Sequence, residues 1–167
     1  KNWFTEHGYK VVSLEDGSFE GAGDLLGFDD IWFGGYGQRS DKEVYTTLSD
    51  IYDKEIIPLK LVNEKFYHLD TCFCPLSGGE LLYYPPAFDL YSQKLIAERW
   101  PFRVIVSSQE AERFACNAVC VGNHVVLPSG CDETMKVLKQ YGYITHPVEL
   151  NEFFKSGGSA KCLTFAL

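Results

Sequence analysis

Basic side chains are scarce: 15 lysines and arginines stand against 23 aspartates and glutamates, which leaves a formal net charge of −8 and an isoelectric point near 4.9. General affinity for nucleic acid or for an anionic membrane rests on basic surface, so no nucleic-acid and no membrane partner is expected, whereas a small cationic ligand is compatible with this balance. Long apolar runs are missing too. None approaches the ~18 residues of a membrane span, and Lys1-Asn2-Trp3-Phe4 has neither the basic start nor the apolar stretch of a signal peptide, which points to a cytoplasmic protein. The paired two-residue cysteine spacing of a zinc ribbon is absent as well. Cys72 and Cys74 are separated by one residue and Cys116 and Cys120 by three, both in strand-like runs, so no structural metal is expected. With Cys131 and Cys162 the six cysteines could form three disulfides. A 167-residue chain that is 46% hydrophobic and 15% aromatic has core enough without such staples, and free thiols in one domain spanning 1–167 are expected.

What is present is a repeat. From Phe19 to Leu26 the sequence reads as a glycine-containing strand, followed by a turn at Asp29-Asp30, a strand from Ile31 to Gly34, a helix from Lys42 to Tyr52 capped by Ser40-Asp41, and a strand from Glu55 to Leu61. The second copy opens on Phe66 to Leu76, turns at Ser77-Gly78-Gly79-Glu80, and continues through a strand Leu81–Tyr84, a helix Asp89–Arg99 and a strand Arg103–Val106. The third runs from Phe114 through a turn at Gly122-Asn123, a strand His124–Leu127, a helix Asp132–Tyr141 and a strand Tyr143–Val148. The units span approximately 19–62, 66–107 and 111–150. Before them, Lys1 to His7 reads as a helix end and Tyr9 to Leu14 as a short strand. After a short helix near Leu150–Lys155, the stretch Gly157 to Phe165 opens a further strand. Repeats of this length ordinarily build stacked or radial architectures, because one unit cannot bury its own apolar face. The partial units at both ends point to the C-terminal part of a larger ring.

One polar residue near the start of each unit keeps its phase. Glu20 to His68 is 48 residues, His68 to Asn117 is 49, and Asn117 to Cys162 is 45. A ring of such units would gather a carboxylate, an imidazole, an amide and a thiol about its axis. His68 and Asp70, two apart on an expected strand, would emerge on one face. A thiol, a histidine and a carboxylate are the minimum set for nucleophilic catalysis at an electron-poor carbon. A second carboxylate, Asp70, has a task beside them only if the substrate is cationic, and a planar guanidinium fits because carboxylates bind it through paired hydrogen bonds.

The stretches Phe19-Glu20-Gly21-Ala22-Gly23-Asp24, Gly35-Tyr36-Gly37-Gln38-Arg39-Ser40, Phe66-Tyr67-His68-Leu69-Asp70-Thr71 and Gly157-Gly158-Ser159-Ala160-Lys161-Cys162-Leu163-Thr164 resemble the guanidine-modifying pentein superfamily of amidinotransferases, arginine deiminases and dimethylarginine dimethylaminohydrolases. The resemblance implies an α/β fold, a five-bladed propeller of strand-strand-helix-strand units with the N-terminal blades missing here, and a small-molecule guanidino substrate with no cofactor. By position it implies Cys162 as nucleophile, His68 as general acid and base, Glu20 as the acid orienting His68, and Asp70 as a guanidinium-binding carboxylate. Arg39 falls where family members hold the substrate's α-carboxylate, or else ties a loop. Gln38 stands where deiminases commonly have glutamate, and the remaining substrate contacts belong to the missing blades. The N-terminal part of the same ring is the expected partner, with a homo-oligomer possible.

The leading reading is hydrolysis of a guanidino C–N bond, in arginine or a methylated arginine, through a thiouronium on Cys162. Transfer of the amidino group to an amine and a non-catalytic pentein binding module are the alternatives. Asn117 reads as a buried amide satisfying strand ends, Cys72 and Cys74 as core cysteines, and His7, His124 and His146 as turn or edge residues.

Overall fold

The computed structural model describes residues 1–14, 16–28 and 30–164. The expected turn residue Asp29 and the expected strand residue Phe165 lie outside the described residues.

Among the described residues, three separate three-stranded sheets carry the fold, ordered β1-β2-β3, β4-β5-β6 and β7-β8-β9, and none is closed on itself. The strands are β1 Leu25–Phe28, β2 Ile31–Tyr36, β3 Glu55–Lys60, β4 Phe73–Pro75, β5 Leu81–Tyr83, β6 Arg103–Ile105, β7 Val119–Val121, β8 His124–Pro128 and β9 Ile144–Val148. In each sheet the first pair is antiparallel and the second parallel, with Leu25 opposite Gly34 and Ile31 opposite Glu55 in the first. A parallel pair needs a crossover, and a helix supplies it in every sheet. The helices are α1 Asn2–Glu6, α2 Val44–Tyr52, α3 Leu90–Arg99, α4 Ser108–Ala111, α5 Asp132–Gln140 and α6 Asn151–Phe154, of which α2, α3 and α5 are the crossovers.

Apolar spacing explains the packing. Val44 and Leu48, four apart on α2, are buried with Tyr45 beside the first sheet, and Ile96 of α3 is fully buried in the main core. Sheets one and two are joined by an aromatic cluster. The Phe33 and Phe73 rings lie 5.4 Å apart, and Trp100 sits 4.8 Å from Phe33 and 5.4 Å from Phe73. Each such side chain contributes about 1.5–3 kcal/mol on burial. Sheets two and three are joined partly by polar contacts: Tyr143 donates to Glu80 Oε2 at 2.5 Å and accepts from the Gly78 N–H at 2.8 Å.

Several expected elements differ. Glu20 is not on a strand: it precedes a 3-10 turn, Gly21–Gly23, and β1 starts only at Leu25. His68 and Asp70 do not share a strand face either. His68 is the extended residue before a 3-10 turn, Leu69–Thr71, closed by the Thr71 hydroxyl donating to His68 O at 2.6 Å, and β4 begins at Phe73. The third unit has a short helix and turns before β7, where one strand from Phe114 is expected. Cys162 lies in a 3-10 turn, Lys161–Leu163, instead of a strand. Tyr9–Leu14 forms no strand. Ser40 and Asp41 do not cap α2, because their side chains are taken by Asp24 and by the Ser18 N–H.

Candidate active site

Two buried side chains build the frame on which the reactive groups sit. Asp24, at the end of the Gly21–Gly23 turn, accepts from the Leu69 N–H at 2.9 Å and from the Ser40 hydroxyl at 2.7 Å, while Ser40 in turn accepts from the Glu20 N–H at 3.1 Å. One carboxylate thus fixes the backbone on either side of Glu20 and His68. Burial pushes its pKa up, opposed by Ser40, by the Leu69 N–H and by His68. Asn117 does the same for the other half. It is fully buried, accepts from the Ser159 N–H at 2.8 Å and the Cys162 N–H at 3.2 Å, and donates to Asp70 O at 3.0 Å. It is therefore a buried amide as expected, but it satisfies two turns and not strand ends. The turn that presents it contains Phe114 at φ 59, a left-handed conformation costly for a bulky residue.

On this frame the residues singled out in the sequence come together in two contacts. His68 Nε2 and Glu20 Oε2 are 2.8 Å apart, and Arg39 approaches the other Glu20 oxygen at 3.6 Å. Cys162 Sγ lies 4.0 Å from Asp70 Oδ2. Gly158 makes room for that sulfur, since a Cβ there would lie 2.9 Å from Cys162 Cβ and Sγ. Arg39 also lies over the Tyr67 ring, 5.2 Å from its centroid.

The electrostatics separate the two carboxylates. Asp70 is buried, and loss of hydration pushes its pKa up to about 6; the nearby Asp24 adds to this, and His68 and Lys161 oppose it. Among the described residues, its Oδ1 and the Ser159 hydroxyl are buried without a hydrogen-bond partner. A buried acceptor left unpaired costs about 1–3 kcal/mol, so Oδ1 is an unmet demand for a donor. Burial also pushes the Cys162 thiol up, with Asp70 the second cause and donation from Ser159 and Asn117 opposing. A cation placed against Asp70 reverses both penalties, because it favours the carboxylate and the thiolate together.

Sequence reasoning missed Asp24 and Tyr67 as parts of the site. Asp24 carried a signal, a lone acid closing a glycine-rich stretch, but its partners are 16 and 45 residues away. All six cysteines are free: Cys72, Cys74, Cys116 and Cys131 are buried, Cys120 is half-buried and Cys162 is exposed. His124 opens β8 and His146 lies on the sheet-edge strand β9, with Nδ1 of the first and Nε2 of the second 2.8 Å apart. Among the described residues no group of three or more His, Cys, Asp and Glu side chains is placed to hold a metal ion, and no helix is long and apolar enough to cross a membrane.

A thiol beside a buried, unpaired carboxylate, and an imidazole paired with an acid, are groups suited to a small cationic ligand, and comparison with known proteins narrows the class. No family model matches the chain. The chain is 48% identical over 172 residues to the bifunctional arginine dihydrolase/ornithine cyclodeaminase ArgZ of Synechocystis sp., a match covering 98% of this chain and 24% of that protein. It is 34% identical over 166 residues to the N(G),N(G)-dimethylarginine dimethylaminohydrolase of Mycobacterium tuberculosis, covering 99% of this chain and 55% of that protein. The solved N-terminal domain of ArgZ, an arginine dihydrolase bound to product, superposes with a TM-score of 0.93 at 46% identity, covering 98% of this chain and 62% of that one. The chain belongs to the guanidine-modifying pentein superfamily. It spans between a quarter and three fifths of the relatives named here, and in ArgZ the match falls in the N-terminal domain, which corrects the expectation of a C-terminal portion.

Proposed function

We propose that this chain carries the nucleophile-bearing part of a hydrolase that cleaves a guanidino C–N bond of arginine. The observation that carries the reading is the unpaired, buried Asp70 Oδ1 beside Cys162 Sγ, since a guanidinium N–H would satisfy the one as its carbon comes within reach of the other.

In this reading the guanidinium lies against Asp70, the thiol of Cys162 passes its proton to His68, and Sγ attacks the guanidinium carbon. A C–S bond forms as the C=N electron pair moves onto nitrogen. His68, held in one orientation by Glu20, donates a proton to the departing nitrogen, the C–N bond breaks, and a thiouronium remains on Cys162. His68 then takes a proton from water, the hydroxide adds to the same carbon, the C–S bond breaks as the new hydroxyl gives its proton to solvent, and His68 returns its proton to the departing thiolate. One turn releases ammonia and a ureido product. Arg39, exposed at the rim, holds the substrate carboxylate in this account. Arginine is favoured over methylated arginine by the higher identity to the dihydrolase than to the dimethylaminohydrolase.

The five-bladed ring belongs to the same proposal, with the three sheets as three of its blades. The far face of the third sheet supports it. Val121 and Ile144 flank His124 in register on that face, Val148 lies further along it, and these three apolar side chains are exposed, as is Leu163; exposed apolar side chains on a sheet face ordinarily pack on another layer. The test is product analysis with the full protein and arginine. Ammonia with citrulline or ornithine, lost on Cys162→Ser with the fold retained, is the expected result; a fully active Cys162→Ser variant overturns it.

A further inference from the structure

We infer that Tyr67 is a positioning residue that fixes the distance between the nucleophile and the carboxylate end of the substrate. The inference rests on the proposed hydrolase reading and extends it to a residue with no role in the bond-breaking steps.

Three contacts converge on this one side chain. Its hydroxyl donates to Gly157 O at 3.2 Å, where the chain leaves α6 and begins the turn that ends at Cys162. Its ring supports the Arg39 guanidinium at 5.2 Å. The same ring lies 4.7 Å from the His68 imidazole, tilted by 56°. The nucleophile turn, the rim arginine and the proton carrier are thus all referred to one rigid plane, which has only two side-chain torsions to order.

Gly157 is shaped to this contact. It has φ +84, and a Cβ there would lie 2.9 Å from Tyr67 Cε1 and 3.0 Å from its hydroxyl, so the backbone comes up against the phenol where no other residue type would allow it. Loss of hydration, then the neighbouring Cys162 and Asp70, push the phenol's pKa up, so Tyr67 stays protonated and remains a donor to Gly157 O. Arg39 and Cys162 are 123 residues apart and sit in different units, and Tyr67 contacts the turn of one and the guanidinium of the other.

Two variants in the full protein separate the two halves of this role. Tyr67→Phe keeps the ring and loses the hydroxyl. It should lower kcat for arginine between about tenfold and a hundredfold, the scale of a small misplacement of a nucleophile, with KM within about threefold of wild type. Tyr67→Leu removes the shelf under Arg39. It should in addition raise KM for arginine about tenfold, while KM for agmatine, which has the guanidinium and no carboxylate, stays within about twofold. A third readout does not require turnover: alkylation of Cys162 by iodoacetamide should be at least about threefold faster in Tyr67→Phe than in wild type, because the released turn exposes the thiol.

Wild-type kcat, KM and alkylation rate in Tyr67→Phe overturn the inference, as does a loss of activity that disappears once the variant is assayed below its own unfolding transition. Equal rises in KM for arginine and agmatine in Tyr67→Leu overturn the shelf. If wild type consumes neither compound, the hydrolase reading fails on its own terms, and the alkylation comparison still decides whether Tyr67 holds the nucleophile turn.

Discussion

At the scale of single residues, the site is expensive by construction, and the cost has a sign that can be measured. Asp70 ionises near pH 6 in the fold against an ordinary 3.8. As pH rises the unfolded chain therefore gives up this proton first, so the contribution to stability is most favourable below about pH 4, declines between about 4 and 6, and is constant above. The full decline is at most about 3 kcal/mol. Asp70→Asn removes it, and thermal unfolding at pH 7.5 should show the variant more stable than wild type, with the difference vanishing near pH 4. The same group predicts the pH dependence of ligand binding. Arginine affinity of the inactive Cys162→Ser protein, followed by calorimetry, should weaken up to about tenfold per unit as pH falls below about 6, and a flat profile from pH 5 to 8 would contradict a guanidinium bound to Asp70. Asn117 has no such conditional role. Asn117→Ala leaves the Ser159 and Cys162 N–H groups and Asp70 O without their partner, and should destabilise the fold by about 2–4 kcal/mol in denaturant unfolding.

At the scale of elements, the regular parts hold the irregular ones in place, and helix starts are where this can be tested. Glu110, buried at the end of α4, accepts from the Glu133 N–H at 2.8 Å, the Thr134 N–H at 3.0 Å and the Thr134 hydroxyl at 2.6 Å, so an acid from another element caps the first turn of α5. Glu110→Ala should cost about 2 kcal/mol and should accelerate amide exchange over the first turn of α5 before it affects α3, whose own cap, Asp89 to the Ser92 N–H, is local. That contrast also says what could be read in the sequence. The second and third strands of each unit, the crossover helices and the Gly78-Gly79 turn are legible because apolar spacing and turn residues decide them, with a local side-chain cap only at α3. The site turns are not. Gly21–Gly23, Leu69–Thr71 and Lys161–Leu163 are held by Asp24 and Asn117, whose hydrogen bonds to the two later turns and their approaches span 42 residues or more. No window of local sequence contains those partners, so strand periodicity reads straight through these turns. The roughly regular spacing of Glu20, His68, Asn117 and Cys162 was legible because it depends on the repeat and not on the local conformation.

At the scale of the molecule, three open sheets leave the candidate site on a surface that solvent reaches, with Glu20 and Cys162 exposed and Asp70 buried. In the proposed ring further blades close over this surface, exclude water and raise the value of every charge in it. In the proposed reading the chemistry sits on this chain and the enclosure elsewhere in the full protein, and Cys162 bonds covalently to the guanidino carbon. The most direct measurement is acid quench of the full protein during turnover of arginine labelled with 13C at the guanidino carbon, followed by peptide mass spectrometry. Label on the peptide containing Cys162, appearing before product and absent from Cys162→Ser, is the predicted result. Product formed by Cys162→Ser at the wild-type rate, with no labelled peptide in either protein, would contradict it.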